Sequence, residues 1–193
     1  MPVTPENNGS VGVRDRLLDA AEQIVARHGV SNLTLEAVAH EAGVSKGGLL
    51  YHFPAKSALI TAIVERLAAR SESRQAAAVA ADPQTAGAFT RAYLAVRTGS
   101  PDPEREPIHT AVLAAIGTDP EYLDPLRKRI AEWKERLESD GIDPVTASIV
   151  KLAIDGLVIG RLLKVPIPEN ELREKIIERL VSMTQPHSEE KQP

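Results

Sequence analysis

Residues 35–54 read LEAVAHEAGVSKGGLLYHFP, and the punctuation inside this stretch decides the fold. Thr34 offers an N-cap oxygen just ahead of Leu35, and Gly43 stops a first short helix at about 35–42. Val44 follows, Ser45 offers a second cap, and Pro54 closes a second helix at about 46–53. Two short helices can cross steeply only if their contact is small and the turn between them is tight. Ala39 keeps the contact small, and Gly43 is free to adopt the left-handed backbone that the turn needs. Val38, Ala42, Val44, Leu49 and Phe53 are spaced to bury together, Leu49 and Phe53 sharing one helix face. Lys46, Gly47, Leu50 and Tyr51 are left on the opposite face.

That outer face has a recognisable chemistry. A helix of this length fits a DNA major groove, which is ~12 Å wide. Its N-terminus, at Ser45 and Lys46, presents free N–H groups and the positive end of the helix dipole, both suited to a phosphate. Gly47 and Gly48 have no side chains, so the backbone can come close to a duplex. Each glycine costs ~1 kcal/mol relative to alanine in a helix interior. A helix that only packs has no reason to carry that cost.

Outward from this unit the chain reads as helices with clear stops. A helix at 13–28 carries Leu17, Ala21, Ile24 and Val25 on an inward stripe and ends at Gly29. A long helix is expected at 56–80, with Leu59, Ile60, Ile63, Val64 and Leu67 apolar and no glycine or proline. Helices follow at about 85–97, 108–116, 124–141, 143–164 and 169–183. They are separated by Asp82-Pro83, a proline-rich loop at 98–107, Asp124-Pro125, Asp143-Pro144, and Pro166 with Pro168. The expected fold is therefore all-α, with about nine helices. Residues 1–10 and 186–193 read as disordered tails.

Composition narrows the function classes. The chain is 42% hydrophobic and 26% charged, with only 3% aromatics, which favours helices packed through aliphatic side chains. The absence of cysteine excludes disulfides, thiolate zinc sites and cysteine nucleophiles. His28, His40, His52, His109 and His187 show no metal-ligand spacing, so no metal or cofactor is expected. No nucleophile motif, phosphate loop or dinucleotide fingerprint is present, so the reading is not an enzyme. The polar N-terminus does not read as a signal peptide. The most apolar stretch, 145–165, contains Lys151, Asp155, Arg161 and Lys164, against a membrane span, and a cytoplasmic protein is expected. The formal net charge of -4 counts against nucleic acid, so that case rests on where charges sit. It also supports the alternative of a helical module that binds a protein partner and not DNA.

Residues 26–60, ARHGVSNLTLEAVAHEAGVSKGGLLYHFPAKSALI, resemble the DNA-binding domain of tetracycline-repressor (TetR) family regulators. The likeness runs over about 11–71. It rests on Gly29, Thr34, Ala39, Ala42-Gly43-Val44-Ser45, Gly47, Leu49, Tyr51-His52-Phe53, Pro54 and Lys56 in that order. The resemblance implies an N-terminal three-helix domain at 11–71, with its helix-turn-helix at about 34–53, and a ligand-binding and dimerisation domain at 72–185. It implies a homodimeric repressor that reads a palindromic double-stranded DNA operator and answers to an unidentified small-molecule effector. Thr34, Tyr51, His52 and Lys56 would then contact phosphates, and Lys46 and Gly47 would lie against base edges, with Ser45 and Gly48 beside them. The family more often has threonine or serine at 48 and tyrosine at 50. Here Gly48 and Leu50 remove those hydroxyls, and Leu50 can pack on a thymine methyl.

In the second half, Phe89, Tyr93, His109 and Trp133 are the large ring side chains of the middle helices and the candidates to line an effector pocket. The family dimerises through its last two helices. Ile149, Leu152, Gly156, Gly160 and Leu163, with Ile176 and Leu180, are the candidate interface.

Overall fold

The computed structural model describes residues 12–99, 103 and 105–185, so the tails expected at 1–10 and 186–193 lie outside the described residues. The described chain is helical throughout: α1 (Val13–His28), α2 (Leu35–Glu41), α3 (Lys46–His52), α4 (Lys56–Ala81), α5 (Ala88–Thr98), α6 (Glu106–Thr118), α7 (Asp124–Glu138), α8 (Pro144–Leu162) and α9 (Asn170–Met183). Single turns of 3-10 helix precede α2 and α7.

Three of the caps expected from sequence form; the one expected at Asp124 does not, because a 3-10 turn runs straight into α7 and leaves Asp124 inside the helix. Thr34 Oγ1 accepts from the Ala37 N–H at 3.1 Å, Ser45 Oγ from the Gly48 N–H at 3.1 Å, and Asp143 Oδ2 from the Thr146 N–H at 2.9 Å. Gly43 has φ 62, the left-handed value the turn requires. Helix α5 starts at Ala88, later than expected, because its cap comes from a distant turn. Asp140 accepts from the N–H groups of Phe89 (3.0 Å) and Thr90 (2.7 Å) and from the Thr90 hydroxyl (2.7 Å). Gly87 makes this join possible. Its φ is 76, and a Cβ there would stand 2.6 Å from the Thr184 carbonyl oxygen.

Two buried clusters organise the packing. The larger gathers Leu17, Leu18, Val25, Leu33, Val38, Leu49, Phe53, Leu59 and Ile63 from α1 to α4, and it also takes Ile108 and Ala115 from α6. The smaller joins Tyr93 and Leu94 of α5, Val150 and Ile154 of α8, and Leu180 of α9. Helix α4 spans 26 residues and about 39 Å at 1.5 Å per residue. It runs without interruption through residue 71, where the sequence placed the end of the first domain.

A polar clamp ties α1 to α4. The Glu22 carboxylate is buried and receives Arg66 Nε at 2.7 Å and Arg70 Nη1 at 2.9 Å, while Arg66 Nη1 also reaches Asp19 at 2.8 Å. Charge-assisted bonds to a buried carboxylate are among the stronger polar contacts a fold can make.

Candidate nucleic-acid interface and interior cavity

Helix α3 divides as its spacing demands. Leu49 and Phe53 are buried, whereas Lys46, Gly47 and Leu50 are exposed and Tyr51 is 85% exposed. A tyrosine so open gives up the apolar burial that normally justifies its ring. His52 is half-buried and meets Tyr51 edge-on at 5.0 Å. Across the turn, Lys46 Nζ sits 2.8 Å from Glu36 Oε1, which brings the first turns of α2 and α3 side by side. The bond holds the Glu36 carboxyl below its usual range and raises the Lys46 ammonium. Thr34 and Ser45 are exposed, and each uses an oxygen as a cap, so each hydroxyl proton remains available to an outside acceptor. Half-buried Lys56 opens α4, a helix start with no side-chain cap and no acid in its first turn.

The two glycines of α3 differ. A Cβ on Gly47 would meet nothing within 4 Å, which leaves its backbone open to an approaching surface. A Cβ on Gly48 would come within 2.9 Å of Val44 Cγ1. Gly48 therefore makes room for the turn packing. Its missing side chain, read with that of Gly47 as a cue for close approach, thus has a second use in the turn.

The second half contains a cavity of about 340 Å³ between α4, α5, α6, α7 and α8. Val64 and Leu67 of α4, Leu113 and Ile116 of α6, and Leu126, Ile130 and Trp133 of α7 make it largely apolar. Of the four expected lining residues, Tyr93, His109 and Trp133 are present. Phe89 is not: it is buried one turn nearer the capped start of α5, with the Arg136 guanidinium 4.0 Å above its ring. Among the polar members, the ring residues were expected, while Arg97 and Lys151 were not. Asp155 accepts from the Tyr93 hydroxyl at 2.5 Å and pairs with Lys151. Burial pushes the Tyr93 phenol far above its usual range, so it remains a donor. Arg97 stacks over Tyr93 at 4.4 Å and lies 5.7 Å from the Trp133 ring centre. His109 stays accessible at the cavity wall. Crowding by protein atoms on its other sides lowers its basicity first, and the charges of Arg161 and Arg97 lower it further.

Helix α8 presents an apolar stripe to the outside. Val145, Ile149, Leu152, Ile159 and Leu163 are exposed, Leu152 to 68%, and Gly156 sits among them with open space where a Cβ would be. Their spacing alternates four and three residues, the repeat by which one helix faces another. Three expected members lie elsewhere. Gly160 is buried under its own chain, because Ile167 packs into the space of the missing side chain. Leu180 belongs to the smaller cluster, at 5% exposure, and Ile176 packs half-buried against it. Val145 and Ile159 complete the four-three repeat and could have been read from it; Leu172 of α9 is also exposed.

The fold and its outward α3 define a helix-turn-helix protein whose second half is a hollow helical bundle. Residues 17–63 match the tetR family of bacterial regulatory proteins, and residues 87–185 match the C-terminal domain described as tetracyclin repressor-like. The chain belongs to the TetR family of transcriptional regulators.

Among relatives, it is 37% identical over 51 residues to the HTH-type transcriptional regulator SrpR of Pseudomonas putida, a match covering 26% of this chain and 24% of SrpR. Among solved structures, a TetR family member from Streptomyces coelicolor A3, SCO1917, shares 28% identity at a TM-score of 0.60, covering 91% of this chain and 99% of that one. The multidrug binding protein EbrR, complexed with ethidium, shares 26% identity at a TM-score of 0.62, covering 90% of this chain and 99% of that one. Among the described residues no helix is long and apolar enough to cross a membrane.

Proposed function

We propose that this chain is a ligand-responsive repressor that binds a palindromic operator as a homodimer. The observation that carries the reading is the split face of α3: Leu49 and Phe53 face the core, while Lys46, Gly47, Leu50 and Tyr51 are exposed, Lys46 in a solvent-facing pair with Glu36. In this reading Lys46 and Gly47 face base edges and Leu50 packs on a thymine methyl. Thr34, Ser45, Tyr51, His52 and Lys56 hold phosphates and set the register. Gly48 serves the turn beneath them.

The dimer forms through Val145, Ile149, Leu152, Gly156, Ile159 and Leu163, which sets two α3 helices about one DNA turn apart, ~34 to 36 Å. An effector in the cavity prefers the dimer with the wrong spacing, and DNA prefers the other, so each weakens the other by the same factor. Residues 11–71 carry the DNA-binding unit and 72–185 the sensing and dimerising unit, with α4 belonging to both.

The test is a titration of the protein on the DNA upstream of its own gene at several stated salt concentrations. A specific complex is expected, and Lys56→Ala should lower its salt slope by about one. A flat salt response, or no preference over unrelated DNA, favours a protein-binding module instead.

A further inference from the structure

The effector reading leaves open what kind of molecule the cavity takes, and the charges at one end of it answer. Next to the apolar chamber lies a smaller one of about 140 Å³, which shares Arg97 and His109 with it. Arg70, Arg74, Arg97, Arg105 and Arg161 line this second chamber, and Glu106 is the one carboxylate that lines it among the described residues. Two of these arginines are incompletely satisfied. Arg97 pairs with no carboxylate among the described residues and rests on aromatic faces instead. Arg161 Nε lies 3.1 Å from Glu106 Oε1, but without the alignment of a hydrogen bond, and its buried N–H has no hydrogen-bond partner among the described residues. A buried donor left without an acceptor costs about 1–3 kcal/mol, and a guanidinium fork is shaped for a carboxylate or phosphate. Asp155, the carboxylate of the apolar chamber, is already bonded by Tyr93 and Lys151, so it offers little to a cation.

We propose, resting on the effector reading above, that the ligand is an amphiphilic acid. Its apolar body fills the chamber around Trp133, and its carboxylate or phosphate head is held by Arg97 and Arg161. The same head reaches the clamp on α1. Arg70 lines the small chamber and also holds the Glu22 carboxylate at 2.9 and 3.1 Å. An acid head competes with Glu22 for Arg70 and loosens α1 from α4, the direction that disfavours DNA.

Trp133 is the chain's one tryptophan, so its fluorescence reports the chamber directly. The probes are octanoate, octyl phosphate, 1-octanol and octyltrimethylammonium, each titrated with and without the upstream DNA. One or both acids should change the emission and release DNA at concentrations at least about tenfold below the alcohol and the cation. Which acid acts identifies the head. Arg97→Gln and Arg161→Gln should each weaken acid binding about tenfold or more and leave 1-octanol unchanged, with Arg97→Lys recovering part of the loss. Glu22→Gln should tighten acid binding, since Arg70 is then released. Circular dichroism checks that each variant is folded.

If the cation or the alcohol acts at the lowest concentration, the acid proposal falls and the effector reading stands. If the acids bind but never disturb the DNA complex, the effector reading falls instead. No response from either acid overturns the proposal, and unchanged acid affinity in Glu22→Gln removes the Arg70 link.

Discussion

At the residue scale, neighbouring glycines of α3 have opposite duties. Gly47 borders open space and Gly48 borders Val44. Gly47→Ala should therefore raise the melting temperature slightly, through a helix propensity gain of up to about 1 kcal/mol, while weakening DNA binding. Gly48→Ala should lower the melting temperature, because Val44 has to move. Thermal denaturation beside a binding titration separates the two. His109 gives a second residue-level expectation. Its basicity in the fold is below the ordinary value, so between about pH 6.5 and its lowered folded value the unfolded chain binds the proton more. Stability from this group is complete above pH 6.5 and is lost as the pH falls through that window. The hydrogen bond to the Arg105 carbonyl opposes the shift, and Glu106 on its own helix does so more weakly; Arg161 on α8 and Arg97 on α5 reinforce the burial that causes it. His109→Gln should flatten the fall in melting temperature between pH 7.5 and 5.5, and an unchanged slope would assign that fall to other groups.

At the element scale, helix starts were readable wherever the cap lay next in sequence, as at Thr34, Ser45 and Asp143. The start of α5 was not, because its cap is Asp140, on the turn between α7 and α8. Asp140→Ala should cost about 2 kcal/mol through three lost bonds and lower the melting temperature by roughly 5 °C. Hydrogen exchange at the Phe89 and Thr90 amides should rise first. The same distance hid the arginine-lined chamber. Arg70, Arg97 and Arg161 belong to three different helices, and each alone reads as a solvated charge. The outer face of α3 was legible because all its residues lie within one short helix, where spacing alone fixes direction.

At the scale of the whole molecule, the exposed stripe on α8 is the surface with most to gain from a second copy. Leu152→Asp should shift the sedimenting species from dimer to monomer while leaving the helical content intact, and operator affinity should fall with it. A mutant that stays dimeric would move the interface elsewhere. The alternation of four and three residues that marks this stripe was open to reading. Which of the two α8 glycines faces outward was not, since that depends on Ile167 folding back over Gly160. One further consequence follows from α6. Ile108 and Ala115 complete the buried cluster of α1 to α4, while His109 borders the chamber. Chimaeras that graft residues 11–71 onto a foreign sensor would thus leave two gaps in the transplanted core. Working hybrids of this protein would have to carry α6 along, and its two halves must diversify together.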